Sequence, residues 1–119
     1  MALSKHNRLK KSRELDSVFK EGNALKGNFL FIKYKERATP TPRLSFIIST
    51  KVVRSAAERN RIRRILSETV RRNLLNFKKG YDIALTVKRK TEEDLLVAEL
   101  LDLLRQKFLS DEKNLNKNN

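Results

Sequence analysis

Hydrophobic residues recur with two different periods along this chain, one typical of helices and the other of strands. Leu15, Val18 and Phe19 follow the three- and four-residue spacing of a helix. They therefore share one face of a first predicted helix over residues 13–21. Ser12 precedes this helix and is expected to be its N-cap, because a serine hydroxyl can accept a bond from a free backbone N–H.

The same spacing predicts two further helices in the second half of the chain. One covers about residues 57–75, with Ile62 and Leu66 on its inner face and Ser67 among the arginines of its outer face. The other follows Thr91, its expected N-cap, and carries a wide stripe of leucines.

Alternating patterns predict three strands, and a fourth is weakly indicated. The strong segments are residues 29–35, 43–50 and 81–87, and the weak one is residues 23–26. In the first segment, Leu30, Ile32 and Tyr34 point to one side and form a purely apolar face. Phe31 and Lys33 point to the other side, which mixes aromatic rings with lysines.

The order of these elements predicts an α+β fold. Residues 38–42 contain both prolines and are interpreted as a hairpin-type connection between two strands. With the weak strand included, the order α-β-β-β-α-β-α predicts a two-layer sandwich of a mixed sheet with helices. We expect residues 1–110 to form a single domain, and residues 111–119 to be a disordered polar tail.

The net charge adds a partner to this picture. The 119 residues include 28 Lys+Arg and 14 Asp+Glu, so the formal net charge is +14. Residues 1–72 account for +13 and residues 73–119 for only +1. Such an excess predicts a polyanionic partner, with nucleic acid favoured over an anionic membrane surface.

Composition excludes several kinds of chemistry. The chain has no cysteine, which excludes disulfides and thiolate zinc sites. Its only histidine, His6, is interpreted as a surface residue on a mobile N-terminal segment, so we expect neither a catalytic triad nor a metal site. No apolar run approaches the roughly 20 residues of a membrane span, and no secretory signal is visible, so a cytoplasmic protein is expected.

The densest positive charge lies in residues 51–72, where seven arginines and one lysine accompany two acidic residues. A solvated helix face is the simpler interpretation. Clustered arginines repel one another, however, unless a polyanion relieves the repulsion, and guanidinium groups suit phosphate and base contacts. RNA is favoured over DNA because the basic helix accompanies a sheet with aromatic rings, a combination suited to single-stranded RNA. A DNA-binding module remains an alternative.

Part of this stretch resembles a known signature, Arg59-Asn60-Arg61-Ile62-Arg63-Arg64. It is similar to the Arg-Asn-Arg motif of the bacterial ribonuclease P protein subunit. Three other blocks resemble that family in the same order: residues 8–22, 43–51 and 80–83. The resemblance covers about residues 7–108.

The resemblance implies a fold detail, a reaction and partners. The family has a left-handed β-α-β crossover. Ribonuclease P removes the 5′ leader of precursor tRNA, and its RNA subunit supplies the active site together with Mg²⁺, which the RNA mainly binds. The expected partners are therefore ribonuclease P RNA and precursor tRNA, with no membrane and no protein partner. No catalytic or metal-binding side chain is expected in this chain.

The resemblance also implies two sets of site residues. The set expected to bind the RNA subunit is Lys51, Arg54, Arg59, Arg61 and Arg63. The set expected to bind the leader is Leu15, Phe19, Phe31, Lys33, Asn60 and Arg64. Core packing is the alternative for Phe19 and Phe31. For the function, the alternative is a general RNA-binding protein, such as a ribosomal one, without a role in cleavage.

Overall fold

A computed structural model describes residues 3–110, which fold around one four-stranded sheet. The strands are β1 (Asn23–Lys26), β2 (Leu30–Glu36), β3 (Arg43–Ile47) and β4 (Tyr81–Val87). The helices are α1 (Ser12–Glu21), α2 (Ala56–Arg72) and α3 (Glu93–Lys107). The tail predicted at residues 111–119 lies outside the described residues.

The strand order is β1-β2-β4-β3. β2 pairs antiparallel with both β1 and β4, whereas β3 pairs parallel with β4. A parallel pair needs a crossover connection, and α2 supplies it. The predicted α+β fold with a mixed sheet is confirmed, including the weakly indicated strand β1. The left hand of the crossover stays a prediction.

The prediction of a hairpin-type connection at residues 38–42 is wrong. β4 lies between β2 and β3, so the two strands that this segment connects are not neighbours. β3 also ends at Ile47 rather than at residue 50. Ile47 pairs with Thr86, and β4 ends one residue later, so residues 49–50 have no partner strand to pair with.

The two faces of the sheet carry different layers. On one face Ile32 is fully buried in the main core with Leu66 of α2 and Leu100 of α3. On the other face Val18 of α1 packs against Ala84 of β4 in a second, smaller cluster. The predicted sandwich is thus present between the sheet and α2 with α3, and α1 covers part of the face that mixes aromatic rings with lysines.

The predicted N-caps of α1 and α3 are each off by one residue. Lys11, not Ser12, is the N-cap of α1, because the N–H of Leu15 already bonds to the Lys11 carbonyl at 3.0 Å. Glu92, not Thr91, is the N-cap of α3. Both capping residues have extended backbones and make no side-chain capping bond. Helix start is therefore decided by backbone bonding rather than by the hydroxyl groups.

The start of α2 is marked by a side-chain cap, Ser55, which the spacing of apolar residues does not reveal. Ser55 accepts a bond from the backbone N–H of Glu58 at 3.2 Å. A serine followed three residues later by a glutamate is the spacing of a capping box. This cap sets the start of α2 and thereby the direction of the arginines in its first turns.

The N-terminal segment, residues 3–10, is bound to the edge of the sheet, so the expectation of a mobile segment is wrong. The N–H of Leu9 donates to the carbonyl of Leu44 at 2.8 Å. The side-chain amide of Asn7 donates to the carbonyl of Pro42 at 3.0 Å. β3 is an edge strand with unpaired backbone groups, and the segment covers part of that edge.

The N-terminal segment also explains why Ser67 is buried, although the sequence pattern predicted it to be exposed. Ser67 was expected on the exposed face of α2, but only 1% of it is accessible. It lies across a shared cavity from Leu3 and Leu9 of the N-terminal segment, and both leucines are buried. Its hydroxyl donates to the carbonyl of Arg63 at 2.6 Å. The covered edge therefore turns one outward position of α2 into an inward one.

A cluster of ion pairs holds α1 against the sheet. The Arg43 guanidinium donates to both carboxylate oxygens of Asp82, each at 2.8 Å, and to those of Glu14 at 3.2 and 3.1 Å. The Arg37 Nε atom lies 3.3 Å from Oδ1 of Asp82, an oxygen that Arg43 also contacts. Hydrogen bonding to Asp82 raises the pKa of Arg43. Bidentate, partly buried pairs of this kind are stronger than isolated surface pairs.

The β1–β2 turn is tied to α3 through one carboxylate. Glu99 accepts hydrogen bonds from the backbone N–H groups of Asn28, Phe29 and Leu30 at 2.7, 2.8 and 2.7 Å. Gly27 permits this approach, because a Cβ atom there would overlap the Glu99 carboxylate. Charge-assisted bonds to backbone N–H groups are stronger than neutral ones, so this contact fixes the turn.

We expect Glu99→Gln to lower the free energy of unfolding by about 1–3 kcal/mol, because an amide offers one acceptor oxygen and adds an NH₂ donor facing N–H donors. Urea unfolding followed by circular dichroism measures the change. Asp102→Asn removes the same charge from an exposed position on α3 and is the control. Equal effects of the two substitutions would contradict the structural role of Glu99.

Candidate RNA-binding surfaces

The first surface combines the start of α2 with the connector that precedes it. We call it the arginine surface, and its members are Lys51, Arg54, Arg59, Asn60, Arg61, Arg63 and Arg64. The inner side of α2 is anchored in the main core by Ile62 and Leu66. Asn60 and Arg64 therefore lie on the outer side of the helix, whereas Arg61 is directed to α3 and Arg63 to the β3 edge. Arg59 and Arg63 are half-buried, and the other members are exposed.

Most of the positive charge on this surface is uncompensated. Arg61 pairs with Glu93 of α3 at 2.5 Å. Within residues 3–110, the other cations of the surface have no carboxylate oxygen within 4.0 Å. The far end of α2 differs, because Arg71 and Glu68 form an ion pair that raises the pKa of Arg71 and lowers that of Glu68. The unneutralised charge is therefore confined to the half of the helix that carries the signature.

Two of the arginines also organise the surface. The Arg59 guanidinium donates to the carbonyls of Val53 and Arg54 at 3.0 and 2.9 Å, which holds the connector against α2. Arg63 donates to the side-chain oxygen of Asn60 at 3.1 Å and orients that amide. Arg59 therefore has a structural role besides the RNA contact predicted for it.

The second surface is the sheet face that α1 partly covers. We call it the α1 face, and its members are Leu15, Phe19, Phe31 and Lys33. Phe19 is the most accessible, with 37% of its surface exposed. Leu15 packs against the small cluster around Val18, and Phe31 is half-buried. Phe19 is thus an aromatic ring on this face with a free side, whereas Leu15 is partly a core residue.

Lysines of β2 attach α1 to this face. The Lys33 ammonium donates to the carbonyl of Gly22 at 3.1 Å, at the negative end of the helix. The Lys35 ammonium donates to Ser17 at 2.8 Å and to Glu21 at 2.7 Å. The bond to Glu21 lowers the pKa of that carboxyl group. Lys33 therefore contributes to the position of α1 as well as to the charge of the face.

The structure divides the predicted site residues between two surfaces, and this division differs from the two sets that the resemblance implies. Asn60 and Arg64, which were expected to bind the leader, lie on α2 with the residues expected to bind the RNA subunit. The α1 face lies on the other side of the sheet. The two surfaces approach each other at the β3 edge, where Arg63 lines a cavity together with Lys10, the residue before the N-cap of α1.

One cationic run was missed by the charge pattern. Lys88, Arg89 and Lys90 follow β4 and are all exposed. Lys90 lies 3.1 Å from Glu58, in the first turn of α2, so the run continues the arginine surface. The net charge of residues 73–119 conceals it, because acidic residues of the same segment cancel it in the sum. Three successive cations at the end of a strand are the local signal.

Metal-binding and membrane-spanning features were also sought in residues 3–110. No group of three His, Asp or Glu side chains in this range is placed to hold a metal ion. The carboxylates of Glu14 and Asp82 converge, but Arg43 is already between them. The convergent carboxylates of Glu14 and Asp82 are therefore already neutralised by a guanidinium group. None of the helices in this range is long and apolar enough to span a bilayer.

Comparison with known sequences relates this arrangement to one family. The Ribonuclease P family profile matches residues 3–108. The chain is 40% identical over 86 residues to the ribonuclease P protein component of Syntrophomonas wolfei, covering 72% of this chain and 71% of that protein. It is 34% identical over 89 residues to the component from Fusobacterium nucleatum, covering 75% and 79%.

Solved structures give the same result. The RNase P protein from Thermotoga maritima, in complex with 1-(4-fluorophenyl)-2-thiourea, has a TM-score of 0.74 and 27% identity, covering 82% of this chain and 96% of that one. A Staphylococcus aureus RNase P protein mutant has a TM-score of 0.79 over 87% of this chain and 90% of that one, and at 18% identity it supports the fold alone. The chain therefore belongs to the ribonuclease P protein component family.

Proposed function

We propose that this protein is the subunit of ribonuclease P that binds the RNA subunit and the 5′ leader of precursor tRNA, and so promotes endonucleolytic removal of the leader. The family match over residues 3–108 carries the proposal. The uncompensated arginine surface supports it physically, because an exposed cluster of cations needs a polyanion. The match disfavours both a general ribosomal-type protein and a DNA-binding module.

In this proposal the arginine surface binds the structured RNA subunit. Guanidinium groups form bidentate bonds with phosphate oxygens, and their charge replaces counterions that the folded RNA would otherwise hold. The protein therefore lowers the Mg²⁺ concentration that the complex needs. Hydrolysis is assigned to the RNA subunit with its bound Mg²⁺, and no side chain of this chain is assigned a catalytic role.

The α1 face is proposed to bind the single-stranded leader. Phe19 offers an exposed ring on which a base can stack, and Phe31 and Lys33 extend the face along β2. Because precursor tRNA is the substrate, the proposed place of action is the cytoplasm.

We expect the triple variant Arg54→Ala, Arg61→Ala, Arg63→Ala to weaken binding to bacterial ribonuclease P RNA and to flatten its salt dependence. Arg59 is kept because it braces the connector. The slope of log affinity against log salt should fall by about two to three units if all three contact phosphate. Filter binding at several salt concentrations measures both quantities.

The matched control removes three exposed cations elsewhere, Lys78, Arg105 and Lys107. It should retain both the affinity and most of the slope. The wild-type protein should also stimulate leader removal by this RNA at low magnesium. Failure to stimulate cleavage would refute the proposed function, and preference for duplex DNA would support the DNA-binding alternative.

We expect Phe19→Leu to weaken binding of precursor tRNA to the reconstituted complex by about 1–3 kcal/mol, because leucine keeps the apolar contact but loses the stacking ring. Mature tRNA, which has no leader, should bind as before. Phe19→Tyr keeps a ring and should restore precursor binding. Equal losses for precursor and mature tRNA would show that Phe19 only supports the fold.

A further inference from the structure

A cavity of about 200 Å³ lies where the N-terminal segment, β3 and α2 meet. Its apolar lining consists of Leu3, Leu9, Leu44 and Phe46. Its polar lining consists of Arg8, Lys10, Ser45, Arg63 and Ser67. Neither the arginine surface nor the α1 face accounts for this cavity, although Arg63 belongs to the first.

The cavity combines an apolar floor with a cationic rim. Leu3 and Leu44 on the floor are each only 2% exposed, whereas Lys10 on the rim is exposed. Arg8 donates to the Leu3 carbonyl at 3.2 Å, which holds its charge at the rim. Within the part of the chain that the structure describes, Arg8, Lys10 and Arg63 have no carboxylate oxygen within 4.0 Å.

These features select a ligand by size and charge. Pockets for drug-sized molecules measure about 300–1,000 Å³, so this one suits a single small ring system. Phe46 provides an aromatic wall on which a planar group can stack. Cations around an apolar slot suit a planar group that is linked to phosphates, which is the chemistry of a nucleotide.

We infer that this cavity takes one unstacked nucleobase of the RNA subunit, with the neighbouring phosphates bound by Arg8, Lys10 and Arg63. The inference rests on the proposed function. Leu9 in the lining belongs to the cluster on the α1 side, but Leu44, Phe46, Arg63 and Ser67 lie on the side of α2, so the RNA subunit is favoured over the leader. That side carries the arginine surface, whereas the α1 face lies behind the sheet.

The first test uses fluorescence. The chain contains no tryptophan, so Phe46→Trp places a single reporter in the wall of the cavity. Titration with ribonuclease P RNA should quench its emission saturably, because the base stacks on the indole. Leu75→Trp is the control, because Leu75 is 99% exposed beyond the end of α2 and should show no such quenching. Absence of quenching for Phe46→Trp, or quenching by a leader oligonucleotide instead, would overturn the inference.

The second test fills the cavity without changing charge. Ser67→Leu should weaken binding of ribonuclease P RNA about tenfold and leave the salt slope unchanged, because no phosphate contact is lost. Arg63→Ala should lower both affinity and slope. A folded Ser67→Leu protein with wild-type affinity would overturn the inference, and thermal unfolding establishes that the variant folds. If it does not fold, the tryptophan titration decides.

Stimulation of cleavage by the wild-type protein separates the two proposals. If the wild type stimulates leader removal and Ser67→Leu binds RNA normally, only the base pocket is refuted. If the wild type does not stimulate leader removal, the proposed function fails regardless of the pocket.

Discussion

The ion-pair cluster centred on Arg43 is the contact on which the α1 face depends. Arg43 lies opposite Asp82 in the parallel ladder and extends from there to Glu14 in the first turn of α1. It therefore joins two strands and a helix with one guanidinium. A neutral residue at this position would leave the half-buried Asp82 with Arg37 alone, and breaking such a pair is more costly than never forming it.

The sheet separates the arginine surface from the α1 face. α2 and α3 cover most of one face, and Arg61 and Arg64 near the start of α2 remain exposed to solvent. α1 covers only part of the other face, and Phe19 remains accessible beside it. One chain can in this way contact a folded RNA on one side and a single strand on the other. The β3 edge is the border, and the N-terminal segment occupies it together with the proposed base pocket.

Local patterns predicted most elements because helix and strand periods are properties of neighbouring residues. β4 was predicted at its observed bounds, and α2 was predicted within a few residues. The insertion of β4 between β2 and β3 was not predicted, because pairing between distant strands leaves no local signal. The N-terminal segment was missed for a similar reason, since two leucines in a basic stretch do not reveal the edge that they cover.

The candidate site was predictable to the extent that it depends on local charge. The arginine surface follows from one short segment of the sequence, residues 51–64. The bond from Lys33 to the end of α1 and the burial of Ser67 both require the tertiary fold, so the sequence alone could not indicate them. The assignment of each surface to one RNA stays a proposal.

The separate action of the two surfaces is tested most directly by combining Phe19→Leu with the triple arginine variant. The complexes are reconstituted with saturating protein, and the affinities for precursor and mature tRNA are measured. The combined variant should show the same change in the precursor-to-mature ratio as Phe19→Leu alone, within about 0.5 kcal/mol. A coupling energy above about 1 kcal/mol would mean that Phe19 and the arginines act on the same bound group, and would contradict the account.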